Sequence, residues 1–69
     1  MNVTIMFPRI PLKKRHDIED ELERAGFNVD GGGTDLRTGV QDITLRIPES
    51  KLGTVRRIIK RFGYGFEIE

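Results

Sequence analysis

The stretch Val40-Gln-Asp-Ile-Thr-Leu-Arg-Ile47 constrains this chain more than any other. Ile43, Leu45 and Ile47 alternate with Asp42, Thr44 and Arg46, so an extended backbone puts the apolar side chains on one face and the polar ones on the other. A helix would scatter them around its axis. The run therefore predicts a half-buried inner strand, in a sheet with one covered and one wet face. Asn2 to Phe7 repeats the pattern, with Val3, Ile5 and Phe7 opposing Asn2, Thr4 and Met6. The chain has 69 residues and no cysteine, so neither a disulfide nor a thiolate metal site is available. Packing alone must hold it, as one domain over residues 1–69 with little core to spare for a deep ligand cavity.

Between these strands the period changes. Pro8 closes the first strand, and a helix is expected from Pro11 or Leu12, since proline suits a first helical turn. Ile18, Leu22 and Ala25 form its apolar stripe, and Lys13 with Asp17, Arg15 with Glu19 and Asp20 with Arg24 stand one turn apart. Lys13, Lys14 and Arg15 oppose the dipole of such a helix, which suggests a later start near Arg15 or His16. Gly26 supplies a left-handed stop, with Phe27 folding back onto the core. Residues 27–33 read as a second, weaker strand that dissolves into Gly31-Gly32-Gly33, and Thr34 to Gly39 as turn material closing a hairpin. Pro48-Glu49-Ser50 opens a second helix with Leu52, Val55, Ile59 and Phe62 on its buried side and Ile58 alongside. Gly53, unusual inside a helix, is expected to allow close approach of a neighbour. Gly63 ends the helix, and Tyr64, Phe66 and Ile68 alternate with Gly65, Glu67 and Glu69 in a last strand. No internal repeat or low-complexity segment stands out.

The order is β-α-β-β-α-β. With right-handed crossovers it gives an α+β fold: a four-stranded antiparallel sheet in the order 4-1-3-2, with both helices on one face.

The chemistry-bearing candidates are few. Gly31-Gly32-Gly33-Thr34-Asp35 lacks the lysine of a phosphate loop and leads into a strand rather than a helix. Its plain structural reading is a bulge or bend in an edge strand with a pliable hairpin tip. Its functional reading is a backbone contact, by which a partner adds a strand. Lys51, Arg56, Arg57, Lys60 and Arg61 surround the stripe of the second helix. They are either a solvated face, partly neutralised by acids of the first helix, or a surface for a phosphate backbone or an acidic protein. The outward residues of the two inner strands include no aromatic, and Phe7, Tyr64 and Phe66 fall on the buried parity, which argues against bases stacking on the sheet. That leaves a flat polar surface with Met6 and Arg46 at its middle. His16 is the lone histidine, with Asp20 one turn on, and Asp30, Asp35 and Asp42 do not follow a calcium-loop spacing. No nucleophile has a base and an orienting acid at recognisable positions, so neither catalysis nor a cofactor is expected. The formal charge is +1, from twelve Lys/Arg against eleven Asp/Glu, so only local patches matter. No run is long enough to span a membrane, and the N-terminus lacks signal-peptide features; a cytoplasmic location is expected.

The topology resembles the broad ferredoxin-like group of split βαβ proteins over the whole chain. The segment Gly31-Gly32-Gly33-Thr34 ahead of Asp42-Ile43 is similar to that of short bacterial or phage proteins of this kind. The resemblance implies immunity proteins and phage-encoded inhibitors of host defence, anti-CRISPR-like proteins among them, which act by occupying a partner's surface and carry no catalytic residues. The expected function is accordingly a non-enzymatic protein-binding module contacting its partner through Gly31, Gly32, Gly33, Thr34, Asp35 and Arg37 of the hairpin and through Arg56, Arg57, Lys60 and Arg61. The alternative is nucleic-acid binding through those last four. A third reading is a subunit-forming domain that pairs sheets as a homodimer.

Overall fold

Alternation along two adjacent strands decides the architecture. The computed structural model describes residues 1–69, with strand β1 at Asn2–Phe7, helix α1 at Leu12–Arg24, β2 at Asn28–Thr34, β3 at Gln41–Arg46, a 3-10 turn at Glu49–Lys51, helix α2 at Leu52–Lys60 and β4 at Glu67–Ile68. The four strands form one antiparallel sheet in the order β2-β3-β1-β4, an α+β fold consistent with a ferredoxin-like arrangement. Val3 lies opposite Leu45 and Ile5 opposite Ile43, so the apolar parities of β1 and β3 coincide on one face. Ile18 and Leu22 of α1 and Val55, Ile58 and Ile59 of α2 close over that face in a single cluster. Full burial of an aliphatic side chain contributes about 1.5–3 kcal/mol relative to exposure, and this cluster is where the fold is held. Phe7 is fully buried and meets Phe66 at a ring separation of 6.3 Å, while Tyr64 and Phe66 are half-buried at its margin.

Gln41 shares the buried parity of β3 and is the one buried polar residue. Its Nε2 donates to the Ile10 carbonyl at 2.8 Å, and its Oε1 accepts from the Thr34 hydroxyl at 3.2 Å. It thereby ties the link before α1 to the end of β2.

Both helices are entered through proline. Pro11 (φ −62°, ψ 146°) and Pro48 (φ −65°, ψ 146°) adopt nearly the same extended conformation, and neither helix start has a side-chain cap. The Pro11 carbonyl accepts from the amides of Lys14 (2.9 Å) and Arg15 (3.2 Å), which fixes the start of α1 at Leu12 and not near Arg15. Lys14 and Arg15 are relieved there by Asp17 and Glu19, each at 3.9 Å. At the far end Gly26 has φ +92°, its amide donates to Glu23 and the Phe27 amide donates to Leu22, the double bond pattern of a Schellman stop.

Several expectations need correction. The triple glycine does not dissolve β2: Gly31, Gly32 and Gly33 pair with Thr44, Ile43 and Asp42, and the bulge falls between Val29 and Gly31. Backbone bonds to β3 suffice here, so the strand continues without side chains. Ala25 is exposed because α1 ends beneath it, and the second helix begins as a 3-10 turn. Lys14 pairs with Asp17 in place of Lys13, and Arg24 pairs with Glu21 (3.6 Å) in place of Asp20, since three-residue spacing brings those groups together. β4 is two residues long, as Gly63 (φ +78°) turns the chain and only Glu67 and Ile68 align with Met6 and Ile5. Nothing lies within 4 Å of where a Gly53 side chain would start, so that glycine permits no close approach within the fold. Arg46 lies opposite Asn2 at one end of the open face, its Nε 3.4 Å from Asn2 Oδ1, rather than at the middle.

A repeat does exist. Arg9-Ile10-Pro11 recurs as Arg46-Ile47-Pro48, Ile18 as Val55, Leu22 as Ile59, Arg24 as Arg61 and Gly26 as Gly63, all at one constant separation. The halves are β1-α1-β2 and β3-α2-β4. Their strands are out of step by the extra residues around Pro8, which hides the duplication from a simple reading along the chain.

Candidate functional site

The hairpin joining β2 and β3 is built from its own hydrogen bonds. The Asp35 amide donates to the Val40 carbonyl at 2.8 Å, and the Gly39 amide donates to the Asp35 carbonyl at 2.7 Å. Asp35 Oδ1 accepts from the Arg37 amide at 2.9 Å, and the Thr38 hydroxyl accepts from the Val40 amide at 3.3 Å. Gly39 takes φ +76°, where a side chain would be strained. The tip is therefore a turn propped by four hydrogen bonds of its own. It presents Leu36 at 94% exposure, flanked by the Arg37 side chain at 91%. Among the expected contact residues, Thr34 and Asp35 spend their side chains on the turn, and Gly31, Gly32 and Gly33 line the sheet edge.

Leu36 was not among the residues expected from sequence. Its signal was present: it is the one large aliphatic in the polar run from Thr34 to Gly39 and has no counterpart to pack on.

Beneath β2 lies a second feature, built on the Arg15–Glu19 pair that the sequence spacing predicts. The Arg15 and Glu19 side chains are only 12% and 19% exposed and lie against the backbone of Gly32. A Cβ on Gly32 would stand 2.7 Å from the Asp42 carbonyl oxygen and 2.8 Å from Arg15 Nη1. Arg15 Nε and Glu19 Oε1 have no hydrogen-bond partner. His16 Nδ1, at 3.4 Å from that oxygen, is near enough for attraction but not aligned to bond. The histidine thus sits beside Glu19 rather than Asp20.

Three cations of α2 and Arg61 at its C-terminal cap gather on its exposed side. Arg56, Arg57, Lys60 and Arg61 are all exposed, and none is ion-paired, whereas Lys14, Arg15 and Arg24 of α1 each have a carboxylate. No α1 acid forms an ion pair with them: Asp17, Glu19 and Glu21 pair within α1, and Glu21 shares only a shallow dimple with Arg61. α2 makes no contact with β2, and α1, which touches both, lies between them. The structure thus separates the expected contact residues into two surfaces, the hairpin and the α2 face.

No deep cleft adjoins either surface. A dimple of about 100 Å³ between the helices is lined by Glu21, Arg61 and Phe62. No three His, Cys, Asp or Glu side chains group as metal ligands. No helix is long and apolar enough to cross a membrane. The open sheet face carries Thr4, Met6, Asp42 and Thr44, all partly exposed and none aromatic. Neither protein-family models nor curated proteins give a match to this chain.

Proposed function

We propose that this chain is a cytoplasmic, non-enzymatic protein-binding module of the inhibitor or immunity type, which covers a partner's surface through the β2–β3 hairpin. The observation that carries this reading is the propped tip with Leu36 at 94% exposure. A lone exposed aliphatic is ordinary on a protein surface. Here the turn's own hydrogen bonds fix the backbone on both sides of Leu36, and a loop ordered in advance loses less entropy on docking. Beside it, the edge of β2 offers backbone groups of three glycines, with Arg15 and Glu19 lying against Gly32. The likeness in size and topology to small immunity and host-defence-inhibitor proteins points in the same direction, as analogy only.

The test is affinity capture from the native host with the parent chain, Leu36→Ser and Arg37→Glu, each checked for unchanged thermal unfolding. The parent is expected to retain a stoichiometric protein partner. Leu36→Ser should weaken it roughly 10- to 100-fold, the factor for losing one buried aliphatic contact. Failure to retain a partner, or equal retention by Leu36→Ser, overturns the reading.

A further inference from the structure

The two helices hold equivalent places in the repeated halves, and their charges do not match. Where α1 has Glu19, Asp20 and Glu23, α2 has Arg56, Arg57 and Lys60, and Arg24 is matched by Arg61. From Leu52 to Arg61 there is no acid. Arg56 with Lys60, and Arg57 with Arg61, stand four residues apart, a spacing at which like charges destabilise a helix. Arg57 and Lys60 lie in the last turn, where the helix dipole welcomes a cation. The same holds for Arg61 at the C-terminal cap, so the dipole accounts for three of the four and leaves Arg56 and the missing acids unexplained. The whole chain carries a formal charge of +1, and four of its twelve Lys/Arg fall between residues 56 and 61.

We propose that the exposed face of α2 is a sequence-independent binding site for the phosphodiester backbone of double-stranded DNA. Unpaired guanidinium groups match phosphates in charge and in bidentate geometry. A helix of about 10–12 Å diameter fits a B-form major groove about 12 Å wide, whereas the deep, narrow A-form groove of duplex RNA excludes it. Single strands are held by aromatic platforms, and neither α2's exposed side nor the open sheet face has one. The site is independent of the hairpin, because α1 lies between α2 and β2.

The test is fluorescence anisotropy of labelled DNA duplexes of two unrelated sequences with the purified chain over a salt series. Duplex RNA, single-stranded DNA, poly-glutamate and phosphatidylserine vesicles serve as comparison arms. Both duplexes should bind equally, with log affinity falling against log salt at a slope of about −3 to −4, one phosphate per cation. The variant Arg56→Gln/Arg57→Gln/Lys60→Gln/Arg61→Gln keeps helix-forming residues and should lose about a hundredfold or more at low salt. Arg56→Lys/Arg57→Lys/Arg61→Lys should stay within about tenfold of the parent, since charge alone supplies most non-specific affinity. Lys13→Gln/Lys14→Gln on α1 and Leu36→Ser on the hairpin should change little. A slope shallower than about −1, or undiminished binding by a folded quadruple Gln variant, overturns the site. Equal or tighter binding of poly-glutamate, duplex RNA, single-stranded DNA or vesicles overturns the assignment to duplex DNA.

Discussion

A methyl group at residue 32 would lie 2.7 Å from the Asp42 carbonyl oxygen, whereas one at residue 31 would meet nothing within 4 Å. Neither glycine has a positive φ, so alanine differs between them by space alone. Gly32→Ala should cost about 1–3 kcal/mol, the usual penalty for overpacking against a backbone that must move. Gly31→Ala should be neutral, or stabilising by up to about 1 kcal/mol through reduced freedom of the unfolded chain. Urea denaturation of the two variants checks this, and equal effects would remove the packing account of Gly32. Gly53 is a separate case, helical and open to solvent. Gly53→Ala should raise stability by about 0.5–1 kcal/mol, read as a higher melting temperature. Such distinctions were invisible in sequence, because three glycines in a row look alike until a helix side chain is laid beneath one of them.

For elements, periodicity carried most of the information. β1, β3 and both helices were readable from their alternation or stripes, because each has side chains turned to a single core. β2 was harder, since a glycine strand has no pattern to show, and β4 was overestimated because alternation around Gly63 and Gly65 mimics a strand that the backbone does not form. Of the two starts the sequence offers for α1, Leu12 is the real one, because the Pro11 carbonyl accepting from Lys14 and Arg15 outweighs the unfavourable dipole. In α2 the like-charge spacing makes a direct prediction. Arg56→Glu would turn the Arg56–Lys60 repulsion into a favourable pair, so stability should rise by a few tenths of a kcal/mol in dilute buffer and the gain should shrink with salt. Thermal melts at two ionic strengths measure it. A more stable protein that no longer holds DNA would show that α2 keeps its cations for function.

The whole molecule joins two similar halves, whose recurrence at one constant separation stands in the sequence itself, and it displays its two surfaces on opposite sides of α1. All three ladders, β1 with β3, β1 with β4 and β2 with β3, run between the halves; none lies within one. A chain nicked at the exposed tip between Leu36 and Arg37 would therefore yield two pieces in which every strand has lost its mate. Each piece alone should show the circular dichroism of an unfolded peptide, and an equimolar mixture should regain the folded spectrum. The same wiring invites trading of halves between copies when the connecting turn is shortened, an outcome that light scattering would register as a doubled mass.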